Sequence, residues 1–124
     1  MKLLDTSAWV EYFKGSEKGR KVKLILAELP TYTSALTFAE ISKWFADNHL
    51  PIEIGIKQIK INSIVLSIEE KVLIESGKRY ALLRALKPKI GLIDTIIYVT
   101  ARLHNLTLVT GDYDFKGLES VELV

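Results

Sequence analysis

The sequence predicts an α/β fold, a three-layer α/β/α sandwich around a central parallel sheet. Short apolar runs of strand character alternate with longer stretches of helical spacing, the pattern of successive strand–helix–strand units. Short apolar strands of this kind belong to parallel sheets covered on both faces. With 124 residues and no repeat, low-complexity tract or linker, the chain reads as one domain, 1–124, with a substantial buried core.

Taken in order, Lys2-Leu3-Leu4 is the first strand, and it feeds a helix at Asp5-Thr6-Ser7. A short helix continues through Ala8–Phe13 until Gly15-Ser16 stops it. A second runs from about Glu17 to Leu29, with Val22, Ile25, Leu26 and Leu29 on one face, and Pro30 ends it. Thr31–Ser34 has strand composition. Leu36–Asn48 is a third helix, and Pro51 opens a fourth that repeats Ile52, Ile56 and Ile59 at helical spacing. A β-branched strand covers Ile64–Ile68. Glu69-Glu70 begins a long helix to Leu86, and after Lys87-Pro88-Lys89 a nearly all-apolar helix runs from about Leu92 to His104. Thr107–Thr110 is a strand, an acidic loop follows, and Val121–Val124 closes the chain as a last strand.

Composition narrows the function. Apolar residues at 48% and charged residues at 26% are ordinary for a soluble globular protein. A net charge of +2 permits nucleic-acid binding without arguing for it, because a basic footprint depends on clustering. The absence of cysteine excludes disulfides, thiolate metal sites and cysteine nucleophiles. No apolar leader precedes Asp5, so a cytoplasmic protein is expected. The most apolar segment, Ile90–Leu106, carries Asp94, Arg102 and His104 and is too short to span a bilayer.

Four acids stand where apolar elements begin, end or turn an inner face: Asp5, Glu40, Asp94 and Asp112. Each has a structural reading beside the functional one. Asp5 suits a helix N-cap, and Thr6 and Ser7 are equally caps or site hydroxyls. Glu40 stacks in the row Leu36, Glu40, Trp44 beside Ile41 and Phe45, at the border of an apolar face from which a long side chain still reaches water. Asp94 falls in the first turn of the apolar helix, where the dipole favours a carboxylate. Asp112 and Asp114 share a turn with Gly111, and Asp112 is nearer the strand end. No Lys or Arg adjoins the four in sequence, and converging carboxylates repel unless a cation is present. Oxygen ligands without His or Cys favour Mg²⁺ or Mn²⁺ over zinc. In parallel sheets the ligand crevice lies beyond the carboxyl ends of the strands, where Asp5 and Asp112 fall.

Asp-Thr-Ser after the first strand, Glu40-Ile41 in an early helix, Leu92-Ile93-Asp94-Thr95-Ile96-Ile97 opening a later one, and Leu108-Val109-Thr110-Gly111-Asp112-Tyr113-Asp114-Phe115 together resemble PIN domains. In length and layout the chain is similar to the small VapC-type ribonuclease toxins of prokaryotic toxin–antitoxin pairs. The resemblance spans Leu3 to Val124 and implies a PIN-like sandwich that binds Mg²⁺ or Mn²⁺ and cleaves RNA. It assigns Asp5, Glu40, Asp94 and Asp112 as catalytic metal ligands, with Ser7, Thr110 and Asp114 in support. It also implies a homodimer and a small antitoxin that lays a peptide, with an Arg, across the acidic pocket. Asp112 is favoured over Asp114 as the fourth acid.

Other features carry other readings. His49 and His104 offer a metal-free acid–base pair, but nothing in the sequence places them together. Arg84, Lys87 and Lys89 lead into the Asp94 helix and are candidate RNA phosphate contacts as well as a solvated face. Trp9, Tyr12, Phe13, Trp44 and Phe45 form core or line a partner groove. A receiver domain lacks its early acidic pair here, an aspartyl phosphatase lacks its second Asp, and neither glycine-rich nucleotide fingerprint is present. A silent PIN-like binding module and a housekeeping RNA-processing nuclease remain as alternatives.

Overall fold

The computed structural model describes residues 1–124. Five strands, β1 (Lys2–Leu4), β2 (Thr31–Ser34), β3 (Ile64–Leu66), β4 (Thr107–Thr110) and β5 (Val121–Leu123), form one sheet in the order β3-β2-β1-β4-β5. Every pairing is parallel, with Leu3 opposite both Tyr32 and Leu108. Helices α1 (Thr6–Lys14) and α2 (Glu17–Glu28) connect β1 to β2, and α3 (Leu36–Asp47) and α4 (Ile52–Asn62) connect β2 to β3. The chain then crosses back through α5 (Glu70–Leu86) and α6 (Leu92–Leu103) to β4.

Right-handed crossovers explain the layers. Two successive connections move the chain toward β3, and the third reverses direction, so α5 and α6 must cover the opposite face. The core shows this split within a single strand, because neighbouring strand residues point to opposite faces. Leu4 and Val109 pack with Trp9, Val22, Ile41, Phe45 and Ile59 from α1–α4. Leu3 and Leu108 pack with Ile97, Tyr98, Ala101 and Phe115 on the other side. Strand order reverses between β1 and β4, so a crevice opens beyond their carboxyl ends.

Local chemistry sets the boundaries. Gly15 takes the left-handed conformation (φ 65°) that closes α1, and its N–H donates to the Tyr12 carbonyl. Ser16 then caps α2, accepting from the Gly19 N–H at 3.0 Å. The expected elements are all present, with small differences. Helix α1 begins at Thr6, with Asp5 in the extended conformation of an N-cap, and runs one residue past Phe13 to Lys14. Strand β3 stops at Leu66 rather than Ile68; as an edge strand it pairs only with β2, whose last paired residue is Ser34. The acidic loop contains an unforeseen turn of 3₁₀ helix at Tyr113–Phe115, and β5 ends at Leu123. No helix is long and apolar enough to cross a membrane.

Candidate active site

Asp5 leaves the end of β1 at the strand-order reversal and is 3% exposed, so its carboxylate has almost no water. Two hydroxyls take over that solvation: Ser7 donates to Oδ2 at 2.9 Å and Thr110, the last residue of β4, donates to the same oxygen at 2.8 Å. Both hydroxyl protons are thereby committed, and each hydroxyl oxygen in turn accepts a backbone N–H. Gly111 donates to Ser7 at 3.0 Å and Asp112 to Thr110 at 3.0 Å. The network ties the β1 end to the loop after β4 and leaves Oδ1 without a side-chain partner.

Glu40 comes from the middle of α3. Thr6 donates to its Oε1 at 2.6 Å, and Thr6 Oγ1 lies 3.0 Å from the hydroxyl of Thr37, one turn before Glu40. With the Thr6 proton on Glu40, Thr37 is the donor of that second bond. Asp94 enters at the first turn of α6, where its Oδ2 accepts the Gly91 N–H at 3.1 Å. The capping reading and the site reading of Asp94 therefore coexist, since one oxygen closes the helix end. Asp112 caps the 3₁₀ turn, its Oδ1 accepting the Asp114 N–H at 2.9 Å.

Asp5, Glu40, Asp94 and Asp112 line one pocket of about 330 Å³ with Thr6, Ser7, Val10, Glu11 and Gly111. The four acids come from four separate parts of the chain. None of these four is held in an ion pair by a Lys or Arg; the one pocket carboxylate that is paired is Glu11, 3.6 Å from the Lys14 ammonium. Burial pushes the Asp5 carboxyl up to about 6, against hydrogen bonds from Thr110 and Ser7 that pull it down, and the neighbouring Asp94 charge raises it further. Asp94 is also raised, first by burial and then by the charges of Asp112 and Asp114, with the Gly91 bond opposing. Asp114 thus acts on the site through its field, but it lines a different groove, with Lys87 and Lys89.

No three acidic side chains close into a tight ion-binding cluster. The all-oxygen side chains of the four acids and the mutual repulsion of Asp5, Asp94 and Asp112 fit a hard divalent cation.

Two residues at the pocket escaped the sequence reading. Glu11, a fifth carboxylate, lines it while accepting a hydrogen bond from Ser16 at 3.0 Å. Its signal was its place four residues after Ser7, on the same face of α1. Lys18 reaches the rim and donates to the Gly111 carbonyl at 3.2 Å, a contact across 93 residues that no local pattern announces. Of the basic candidates, Arg84 lies over the Tyr80 ring on its own helix, 5.5 Å from the centroid. The histidines stay outside the pocket: His104 caps α6 and contacts Glu69 at 3.0 Å, and His49 sits in the turn after α3.

Residues 2–120 match the family model for the PIN domain. The chain belongs to the PIN domain family. Solved structures similar to this PIN domain include a toxin–antitoxin complex from Klebsiella pneumoniae, 27% identical with a TM-score of 0.75 over 98% of this chain and 96% of that one. VapC20 of Mycobacterium tuberculosis, a Sarcin-Ricin loop cleaving toxin, superposes with a TM-score of 0.77 at 16% identity over 99% and 98% of the two chains. VapBC2 of Rickettsia felis, bound to a DNA fragment from its promoter, gives 0.73 at 20% identity over 99% and 96%. The last two likenesses are of fold alone. No curated protein matches the chain in sequence.

Proposed function

We propose that this PIN domain is a divalent-metal-dependent endoribonuclease, the toxin of a toxin–antitoxin pair, with residues 1–124 forming a single catalytic domain. One observation carries the reading: Asp5, Glu40, Asp94 and Asp112 line a single pocket at the strand-order reversal with no Lys or Arg paired to any of them. Asp5, Glu40 and Asp94 would hold Mg²⁺ or Mn²⁺ directly or through water, and Asp112 would complete the site. The bound ion would supply charge neutralisation at the phosphate and a more acidic water. The chain's own contribution is positioning. Ser7 and Thr110 fix one Asp5 oxygen and leave the other without a side-chain donor, while Thr6 fixes Glu40 and the Gly91 N–H fixes Asp94.

The test is cleavage of a panel of structured and single-stranded RNAs with Mg²⁺, Mn²⁺ or EDTA. Cutting that requires the ion and falls by about 100-fold or more in Asp94→Asn is expected, as for loss of a charge-stabilising group. A metal-loaded protein, free of co-purified inhibitor, that binds RNA without cutting would make it a silent binding module.

Its partners would be RNA, a second copy and a small cytoplasmic antitoxin. Large apolar side chains support more than one covering surface: Leu73, Ile74, Leu82 and Leu86 on α5, and Ile54 and Ile61 on α4, are all exposed. The similarity to the toxin–antitoxin complex from Klebsiella pneumoniae supports the same reading. An antitoxin segment carrying an Arg would pair with the pocket carboxylates. Deleting that segment should abolish inhibition of RNA cleavage; inhibition that survives the deletion would discard the Arg-insertion mode.

A further inference from the structure

The acidic pocket has a second groove at its side, lined by Leu86, Lys87, Pro88, Lys89, Tyr113 and Asp114. The two adjoin through the chain itself, because Asp112 lines the pocket and the next residue, Tyr113, lines the groove. Tyr113 is 62% exposed, a large aromatic surface left in water beside a charged site. It is nevertheless held in place. Its backbone sits in the 3₁₀ turn capped by Asp112, and the Lys18 ammonium lies 4.7 Å from its ring centroid. Lys18 spends one donor on the Gly111 carbonyl and, as an ammonium, has two more. Across the groove, Lys87 is anchored to the Lys116 carbonyl at 2.5 Å, and Lys89 is exposed.

From this arrangement we infer that a single-stranded RNA substrate reaches the acidic pocket along a track where one base stacks on Tyr113 and flanking phosphates are held by Lys18, Lys87 and Lys89. The inference rests on the nuclease reading above and adds the substrate form and the residues that receive it. An unpaired base offers a face to an exposed ring, whereas a duplex keeps its bases stacked on one another. Two ammonium groups, Lys87 and Lys89, against the single Asp114 carboxylate give the groove the opposite sign to the pocket beside it, and Lys18 adds a third at the Tyr113 ring between them. That polarity draws the backbone to the rim and leaves the pocket to a cation.

The experiment is fluorescence anisotropy with a labelled uridine-rich 12-nucleotide RNA, and with the same strand in a duplex, in EDTA so that nothing is cut. Wild type should bind the single strand more tightly than the duplex. Tyr113→Ala should weaken single-strand binding by about 5- to 150-fold, the range of base–aromatic stacking, while Tyr113→Phe retains it. Lys87→Gln and Lys89→Gln should each flatten the dependence of log Kd on log salt by about 0.7. Unchanged binding in Tyr113→Ala, or an equal loss on single strand and duplex, overturns the track. Wild-type protein that binds neither RNA would count against RNA as the substrate, a separate failure from that of Tyr113 alone.

Discussion

At the scale of single residues, the chemistry of the pocket turns on a buried carboxylate with a raised pKa. Asp5 has an ordinary value of 3.8 and about 6 in the folded protein. A folded-state value above the unfolded one means that the folded protein binds the proton more tightly. The associated stability is fully present below 3.8 and is lost as pH rises through about 6. Its size follows from the interval and is about 3 kcal/mol. Metal-free protein should therefore be less stable at pH 7.5 than at pH 4.5 by more than Asp5→Asn is, and chemical denaturation of the two proteins at both pH values reads that difference. Divalent cation should flatten the wild-type slope. Equal slopes for wild type and D5N would mean that Asp5 is not the group responsible. Position alone could not have revealed this. Asp5 as a helix cap and Asp5 as a site carboxylate look identical in sequence; what marks it as a site carboxylate is its near-complete burial and the bond from Thr110, more than 100 residues away.

At the scale of elements, the pocket depends on how closely α1 and α2 approach. A Cβ built on Gly19 would lie 2.1 Å from the backbone oxygen of Glu11, so only glycine allows this contact. Gly19→Ala should destabilise the protein by about 1–3 kcal/mol, as overpacking does, and thermal unfolding measures it. An unchanged midpoint would show that the two helices separate freely. Because Glu11 and Lys18 reach the pocket from these helices, the same change should also weaken RNA binding. Element types were legible in sequence wherever apolar periodicity was long, as in α3 and α6, or where Pro and Gly punctuated it, as at Pro30 and Gly15. The 3₁₀ turn at Tyr113–Phe115 was not, because two backbone bonds, from Phe115 to Asp112 and from Lys116 to Tyr113, and the Asp112 side-chain cap hold a turn too short to show a periodic pattern.

At the scale of the whole molecule, the parallel order β3-β2-β1-β4-β5 places β1 and β4 side by side although more than 100 residues separate them in sequence. That adjacency lets Thr110 reach Asp5 and brings the Asp112 loop to the Asp94 helix. The exposed apolar residues of α5 and α4 are the other property of the assembled molecule. Light scattering on the purified chain should give about twice 14.0 kDa, and a monomer at micromolar concentration would remove the homodimer from the proposal.

The sequence by itself determined the alternation of strands and helices, and with it the parallel sandwich. Apolar periodicity and chain breakers are local properties that the backbone obeys wherever they occur. It also singled out Asp5, Glu40, Asp94 and Asp112, because a carboxylate set into an apolar element is costly enough to stand out. Only the tertiary structure decided that these four line one pocket, that Asp112 faces it while Asp114 faces the neighbouring groove, and that Glu11, Lys18 and Tyr113 stand at its edge. Those facts depend on which strands pair and how closely helices pack, and they arise from contacts between residues remote in the chain.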